Sequence, residues 1–143
     1  ASGCAEKSVS VEIVFRGRCV RLDAFCDSGN LAVDPMDSAP VIIVKKRAIA
    51  PLLPEIDEDF YKNPSSCANV DWSLKKRMRL LPIDKGGKST LMLGIKADEV
   101  RVSNGKEGEY EPVSVTVAID NEGGNYGGYD GLMPTAAICD VFK

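Results

Sequence analysis

The residues best suited to chemistry in this sequence form one short loop, Asp27-Ser28-Gly29-Asn30, which follows an alternating apolar stretch. Apolar side chains at every second position from 20 to 26 predict a strand with one buried face. A sheet holds a carboxylate at the end of such a strand rigidly, while the next loop stays open to substrate, which suits a general acid or base. The glycine lets the backbone turn without a Cβ clash. We therefore predict that Asp27 is catalytic and that its loop is supported by Ser28, Gly29 and Asn30.

The sequence contains no histidine, and this absence narrows the chemistry available to the loop. A serine or cysteine nucleophile has no histidine to activate it, and the commonest metal ligand is missing. A metal-dependent hydrolase built on Asp27, Asp34 and Asp37 is disfavoured, because no histidine or paired acidic motif supports such a site. We predict no metal and no cofactor. Asp-Ser-Gly also forms ordinary solvated turns, so a non-catalytic loop stays open as an interpretation.

Composition favours one soluble domain. With 143 residues, 44% of them hydrophobic, the chain can bury one sizeable core, so we expect a single domain over residues 1–143. The net charge of -3 argues against nucleic-acid binding through a broad basic surface. No apolar run approaches the roughly 18 residues needed to cross a bilayer. Five cysteines at scattered spacings, without a C-x-x-C pair, favour reduced thiols and a cytosolic location.

The remaining patterns predict a mainly β chain with one or two short helices. Alternation predicts a hairpin over 8–15 and 20–26, a second hairpin over 77–83 and 89–95, and further strands at 40–44, 97–102 and 113–119. Pro134 is placed to begin a helix that reaches about Phe142. A closed barrel of the retroviral protease kind is the simplest architecture for this set of strands.

Several segments together resemble one known family. They are LDAFCDSGNLAVDP at 22–35, APVIIV at 39–44, RLLPI at 79–83 with Gly86-Gly87, and GIKADEV at 94–100. The sequence is similar to the protease domain of the sporulation sigma-E factor processing peptidases, which are membrane-bound aspartic proteases of spore-forming bacteria. The resemblance implies that Asp27 is the catalytic aspartate, with Ser28 and Gly29 completing its loop. It also implies that the substrate is an inactive sporulation sigma factor precursor.

The resemblance to aspartic proteases carries further expectations about assembly and location. In such proteases two Asp-Ser/Thr-Gly loops meet, and their carboxylates share a proton to activate water. This sequence has one such loop, so we expect one half-site per chain and a homodimer. The chain begins without methionine, and the family implies a missing membrane segment, so we expect a fragment of a protein anchored in the cell membrane.

The hairpin tip at Gly86 and Gly87 has a counterpart in the same proteases. A hairpin between the catalytic loop and the second half of the fold closes over the bound peptide there, and the order along this chain matches it. We therefore predict that Gly86 and Gly87 form the tip of a flap that covers substrate. The alternative is a non-catalytic β-barrel that binds peptides or regulates a membrane signalling protein, in which the Asp27 loop is a simple turn.

Overall fold

The computed structural model describes residues 7–66, 70–104 and 109–142, and strands dominate it, as predicted. The strands are β1 (Ser8–Phe15), β2 (Arg18–Asp27), β3 (Val41–Lys45), β4 (Met78–Lys85), β5 (Lys88–Ile95), β6 (Glu99–Ser103), β7 (Glu111–Pro112), β8 (Thr116–Asp120) and β9 (Gly131–Pro134). The helices are α1 (Lys46–Ile49), α2 (Glu58–Lys62), α3 (Trp72–Lys75) and α4 (Thr135–Ile138), with a 3-10 turn at Ala50–Leu52. In the described ranges, no helix is long and apolar enough to cross a membrane.

All nine strands form one sheet in the order β4-β5-β8-β3-β9-β2-β1-β6-β7. The two outermost strands, β4 and β7, do not pair with each other, so the sheet over the described residues is open. The mainly β class is confirmed, whereas the predicted closure into a retropepsin-like barrel is not found. One reason is that β7 has two residues and ends in Pro112, which has no N–H to extend a hydrogen-bonded ladder.

The β1–β2 hairpin delivers Asp27 to the end of its second strand, as predicted. Arg16 and Gly17 form its two-residue turn with φ values of 52° and 81°, the positive values that a type I′ turn requires. The alternating residues of both strands face the core: Val9, Val11, Ile13, Phe15, Leu22, Ala24 and Cys26 are buried. The alternation read from the sequence therefore corresponds to one buried face of the sheet.

Strand β9 is the main departure from the sequence-based expectation. No strand is predicted at 131–134, and a helix is predicted from Pro134, but this stretch lies as a strand between β2, to which it is parallel, and β3, to which it is antiparallel. A Cβ on Gly131 would lie 2.9 Å from Leu22 Cδ1 and 3.3 Å from the Ile43 carbonyl oxygen. Glycine therefore allows the three strands to approach, and α4 is shorter than predicted, ending at Ile138.

The core consists of two apolar clusters. The larger lies under β1, β2 and the short helices, and includes Phe15, Ile49, Leu53, Phe60 and Met133. The smaller lies under the β4–β5 hairpin and contains Val41, Ile43, Leu81, Ile83, Met92, Ala118 and Tyr126. Burial of each large apolar side chain contributes roughly 1.5–3 kcal/mol, so packing holds the inner face of the hairpin to the sheet.

The cysteines differ from the expectation of reduced thiols in one case. Cys19 is an exposed thiol and Cys26 a buried one, whereas Cys139 is disulfide-bonded. The expectation is therefore wrong for Cys139. The remaining two cysteines, Cys4 and Cys67, lie outside the described residues.

A buried carboxylate fixes the segment that follows the Asp27 loop. Asp34 is fully buried, and its Oδ2 accepts hydrogen bonds from Arg79 Nε at 3.2 Å and from Thr116 Oγ1 at 2.6 Å. Its Oδ1 accepts from the Met36 N–H at 2.9 Å. Since Arg79 lies in β4 and Thr116 in β8, Asp34 ties the segment to both strands.

A lysine side chain neutralises the acidic residue Asp37 beside this network. Lys96 Nζ donates to Thr116 Oγ1 at 2.9 Å and pairs with Asp37 Oδ2 at 2.9 Å, and this contact lowers the pKa of Asp37. Over the described residues, no group of three or more acidic or sulfur ligands is arranged to hold a metal ion. Asp34 and Asp37 are paired with the side chains of Arg79 and Lys96, respectively.

Replacing Asp34 by asparagine is expected to destabilise the fold by about 3 kcal/mol, because the partly buried Arg79 guanidinium loses its fully buried counter-charge. Urea denaturation monitored by circular dichroism measures this change. Asp37→Asn is the matched control, since its exposed ion pair contributes little, and its unfolding midpoint should move much less. Equal shifts in the two variants would contradict the structural role assigned to Asp34.

Candidate active site

Asp27 occupies the last position of β2, opposite Pro134 of β9. The Gly29 N–H donates to Asp27 Oδ1 at 2.9 Å, and the Asn30 N–H donates to the Asp27 backbone oxygen at 3.2 Å. In the described part of the chain, no hydrogen-bond donor contacts Oδ2. One carboxylate oxygen is thus fixed by the backbone, and the other is available to a ligand.

Asn30 fastens this loop to the sheet. Its side-chain nitrogen donates to the Val41 carbonyl at 2.8 Å and to the Leu132 carbonyl at 3.3 Å, and its Oδ1 accepts from the Ala32 N–H at 3.3 Å. The side chain is buried, so these hydrogen bonds are shielded from water. The amide joins β3, β9 and the loop, which gives a physical basis for the predicted supporting role.

Ser28 makes no such contact. It is exposed, and no hydrogen bond of its hydroxyl is found within the described residues. Support of the loop by the Ser28 side chain, as predicted from the sequence, is therefore not found within the described chain. The serine does lie beside Asp27 on the surface, where another molecule can reach it.

A cleft of about 420 Å³ lies between the Asp27 loop and the β4–β5 hairpin. The hairpin turns at Gly86 and Gly87 with φ values of 62° and 83°, the left-handed conformation that glycine adopts without strain. The residues lining the cleft are Asp27, Gly29, Asn30, Leu31, Ala32, Ile43, Pro82, Ile83, Asp84, Lys85, Met92, Asp120, Tyr126 and Leu132. The structure thus brings the predicted catalytic loop and the strands of the predicted flap to one cavity.

A second strand-end carboxylate, Asp120, also lines this cleft, and the sequence analysis did not identify it. Its Oδ1 accepts from the N–H groups of Glu122 and Gly123, each at 3.1 Å. Its Oδ2 accepts from the Tyr126 hydroxyl and from Lys85 Nζ, the latter at 3.3 Å. Burial, strengthened by the hydrogen bond to Asp120, raises the pKa of Tyr126 well above its usual range, so the hydroxyl stays a donor.

A signal for Asp120 does exist in the sequence. Like Asp27, it directly follows the apolar residues of a strand and precedes a glycine-containing loop. The two carboxylates nevertheless differ in chemistry. Each oxygen of Asp120 accepts two hydrogen bonds, whereas Asp27 has one oxygen available to a ligand. Asp84, the third carboxylate of the cleft, is exposed on β4.

Loss of the Asn30 amide is expected to cost about 1–3 kcal/mol of stability, because Asn30→Ala leaves buried carbonyl groups without their donor. Asn30→Asp should be at least as harmful, since it places a carboxylate against two carbonyl oxygens. Chemical denaturation of both variants tests this, with Ser28→Ala as the control in the same loop. An unchanged unfolding midpoint in Asn30→Ala would remove the anchoring role of this residue.

Comparison with known proteins agrees with the resemblance seen in the sequence. The chain matches the family described as Sporulation factor SpoIIGA over residues 3–135. It is 29% identical over 120 residues to a sporulation sigma-E factor-processing peptidase of Priestia megaterium. This region covers 81% of the chain and 39% of that protein, so the chain spans well under half the length of its relative. No solved structure shows significant similarity to the chain. Because the family match extends over nearly all of its residues, the chain belongs to the sporulation factor SpoIIGA family.

Proposed function

We propose that this chain is one half of an aspartic endopeptidase that acts as a homodimer, with Asp27 from each copy forming the catalytic pair. The observation that carries the proposal is the Asp27 carboxylate, fixed through Oδ1 by the Gly29 N–H and open at Oδ2, at the edge of a cleft under a hairpin. A fixed carboxylate beside a groove is suited to proton transfer on a bound peptide.

The need for a second copy follows from the other carboxylates of the cleft. Asp120 has both oxygens engaged by donors, so it is not available to share a proton. Asp84 is exposed on β4, within the hairpin that we propose to be the flap, so it is not part of a second catalytic loop. A homodimer with twofold symmetry places the same loop from both copies at one interface and so supplies the second Asp27.

The proposed reaction uses the two carboxylates as a unit. Two like charges a few ångströms apart disfavour double ionisation, so the pair holds one proton. The ionised Asp27 removes a proton from water, which attacks the peptide carbonyl, while the protonated Asp27 stabilises the developing oxyanion. Proton return to the amine nitrogen then releases the two peptide products. Ser28 has no catalytic role in this scheme.

The hairpin serves as the flap in this proposal. Its tip residues, Gly86 and Gly87, have no Cβ and no neighbouring atoms within 4 Å of where one would be, so the tip has room to move. Pro82, Ile83 and Met92 present apolar surface to the cleft. The hairpin thus covers an extended peptide and excludes water from the bond to be cleaved.

The substrate is proposed from the name of the relative, and the location from the resemblance described in the sequence analysis. That protein is named as a sigma-E factor-processing peptidase, and we propose that this chain likewise cleaves an inactive sporulation sigma factor precursor. We further propose that residues 1–143 form one cytosolic domain of a longer protein anchored in the cell membrane. The competing function is a non-catalytic peptide-binding or regulatory module.

Asp27→Asn is expected to abolish cleavage of the sigma-E factor precursor and to leave folding and precursor binding intact. Cleavage is followed on gels, precursor binding by titration calorimetry, and folding by thermal melting of the same preparation. Asp23→Asn, an exposed change on the same strand, is the control. Full activity in Asp27→Asn would reject the aspartic mechanism, and absence of cleavage by the wild type would favour the regulatory module.

Mixing wild-type chain with Asp27→Ala tests the shared site. If each site needs both carboxylates, a mixed dimer is inactive, and random pairing of equal amounts leaves about a quarter of the dimers wholly wild type. Activity at a fixed wild-type concentration should fall as mutant is added, after subunit exchange has been confirmed. Constant activity with excess mutant would exclude the shared site.

Ser28→Thr is expected to retain activity, because no histidine is present to make Ser28 a nucleophile. Turnover of this variant and treatment of the wild type with a serine-directed covalent inhibitor provide two independent measurements. Stoichiometric labelling of Ser28 with loss of activity would refute the assignment.

A further inference from the structure

The outer half of the β4–β5 hairpin has little backbone support from the rest of the sheet. Strand β5 pairs with β8 only from Leu93 to Ile95, and β4 is the outermost strand. Within the described residues, the backbone from 83 to 92 therefore forms ladder hydrogen bonds only inside the hairpin. The position of this half depends on its side chains.

One polar contact joins this outer half to the rest of the described chain. Lys85 directly precedes the turn at Gly86 and Gly87, and its Nζ lies 3.3 Å from Asp120 Oδ2. Lys85 is 38% exposed and Asp120 2% exposed, so the ion pair lies at the boundary between the cleft and solvent. Ile83 and Met92 add apolar contacts to the cluster that contains Tyr126.

Asp120 is itself rigidly held. Its Oδ1 is fixed by the Glu122 and Gly123 N–H groups, and the Tyr126 hydroxyl donates to the same oxygen that Lys85 contacts. Tyr126 is fixed from its other side by Lys45, whose Nζ lies 5.0 Å from the ring centroid. The hairpin is thus tied to a preorganised acceptor, and no rearrangement of the 121–128 loop is needed to form the contact.

We infer that Lys85, Asp120 and Tyr126 form a latch that positions the outer half of the hairpin over the cleft, which makes them positioning residues for peptide binding. The inference rests on the proposed peptidase function for its effect on catalysis. The latch lines the same cleft as Asp27, but no hydrogen bond or ion pair joins its three residues to the Asp27 loop among the described residues. It should therefore affect how substrate is held rather than the proton transfers.

Replacing Lys85 by methionine removes the charge and keeps most of the apolar stem. We expect KM for the sigma-E factor precursor to rise about twofold to fivefold, as loss of one partly exposed ion pair implies, with kcat changed less than about twofold. Lys85→Arg should restore KM, because the guanidinium can donate to the same carboxylate. Lys88→Met is the matched control: Lys88 lies opposite Lys85 across the turn and has no ion pair with any described residue.

A second measurement does not require activity. Hydrogen exchange of the full chain should become faster in the hairpin amides of residues 85–92 in Lys85→Met and in Tyr126→Phe, and stay unchanged in Lys88→Met. Tyr129→Phe controls for loss of a tyrosine hydroxyl, since Tyr129 packs its ring against Phe25 and forms no hydroxyl contact in the described chain.

The outcomes separate the latch from the proposed function. Unchanged exchange in Lys85→Met overturns the latch, whatever the activity. Faster exchange with unchanged KM overturns the positioning role, and so does an equal rise of KM in Lys88→Met. Failure of the proposed function would instead appear as absence of cleavage dependent on Asp27 in the wild type, while the exchange measurement would still decide whether the latch exists.

Discussion

The insertion of β9 between β2 and β3 is the constraint on which the rest of the site depends. It brings the short segment Gly131–Pro134 beside the strand that ends at Asp27, and glycine at 131 suits this close approach because a Cβ there would crowd the Leu22 side chain and the Ile43 carbonyl. The Leu132 carbonyl then becomes an acceptor for Asn30. Distant parts of the sequence thereby fix the loop that carries the candidate catalytic group.

Three aspartates, two of them at strand ends, show how the surroundings decide what a carboxylate can do. Asp34 is fully buried and satisfied by Arg79, Thr116 and a backbone N–H, so it holds structure together. Asp120 is nearly as buried and just as fully engaged. Asp27 has the same residue type and a similar position, yet it keeps one oxygen open to the cleft. The difference is that Asp27 has a carboxylate oxygen that accepts no hydrogen bond from the described residues, and this favours Asp27 as the catalytic carboxylate.

Local patterns in the sequence predicted much of this structure. The alternation of apolar and polar residues predicted both hairpins and the strand leading to Asp27, because a strand with one buried face has a period of two. The hairpin strands extend further than expected, to Lys85 and from Lys88, since a two-residue glycine turn leaves both lysines in the ladder. What the patterns missed depends on contacts between distant residues: β9 has no alternation of its own, and Asp34 and Thr116 are 82 positions apart. Such partners have no local signature.

The exposed edge of β4 has a consequence for association between molecules. An unpaired strand edge normally presents a row of donors and acceptors to which any extended chain can add, and this is a common route to aggregation. Pro82 lies in the middle of β4 and has no N–H, and proline is tolerated within a strand where that missing donor would have faced outwards. A foreign strand running along this edge would therefore find its hydrogen bonding interrupted halfway. Pro82, which lines the cleft, thus also hinders the addition of further strands at the outer edge of the sheet.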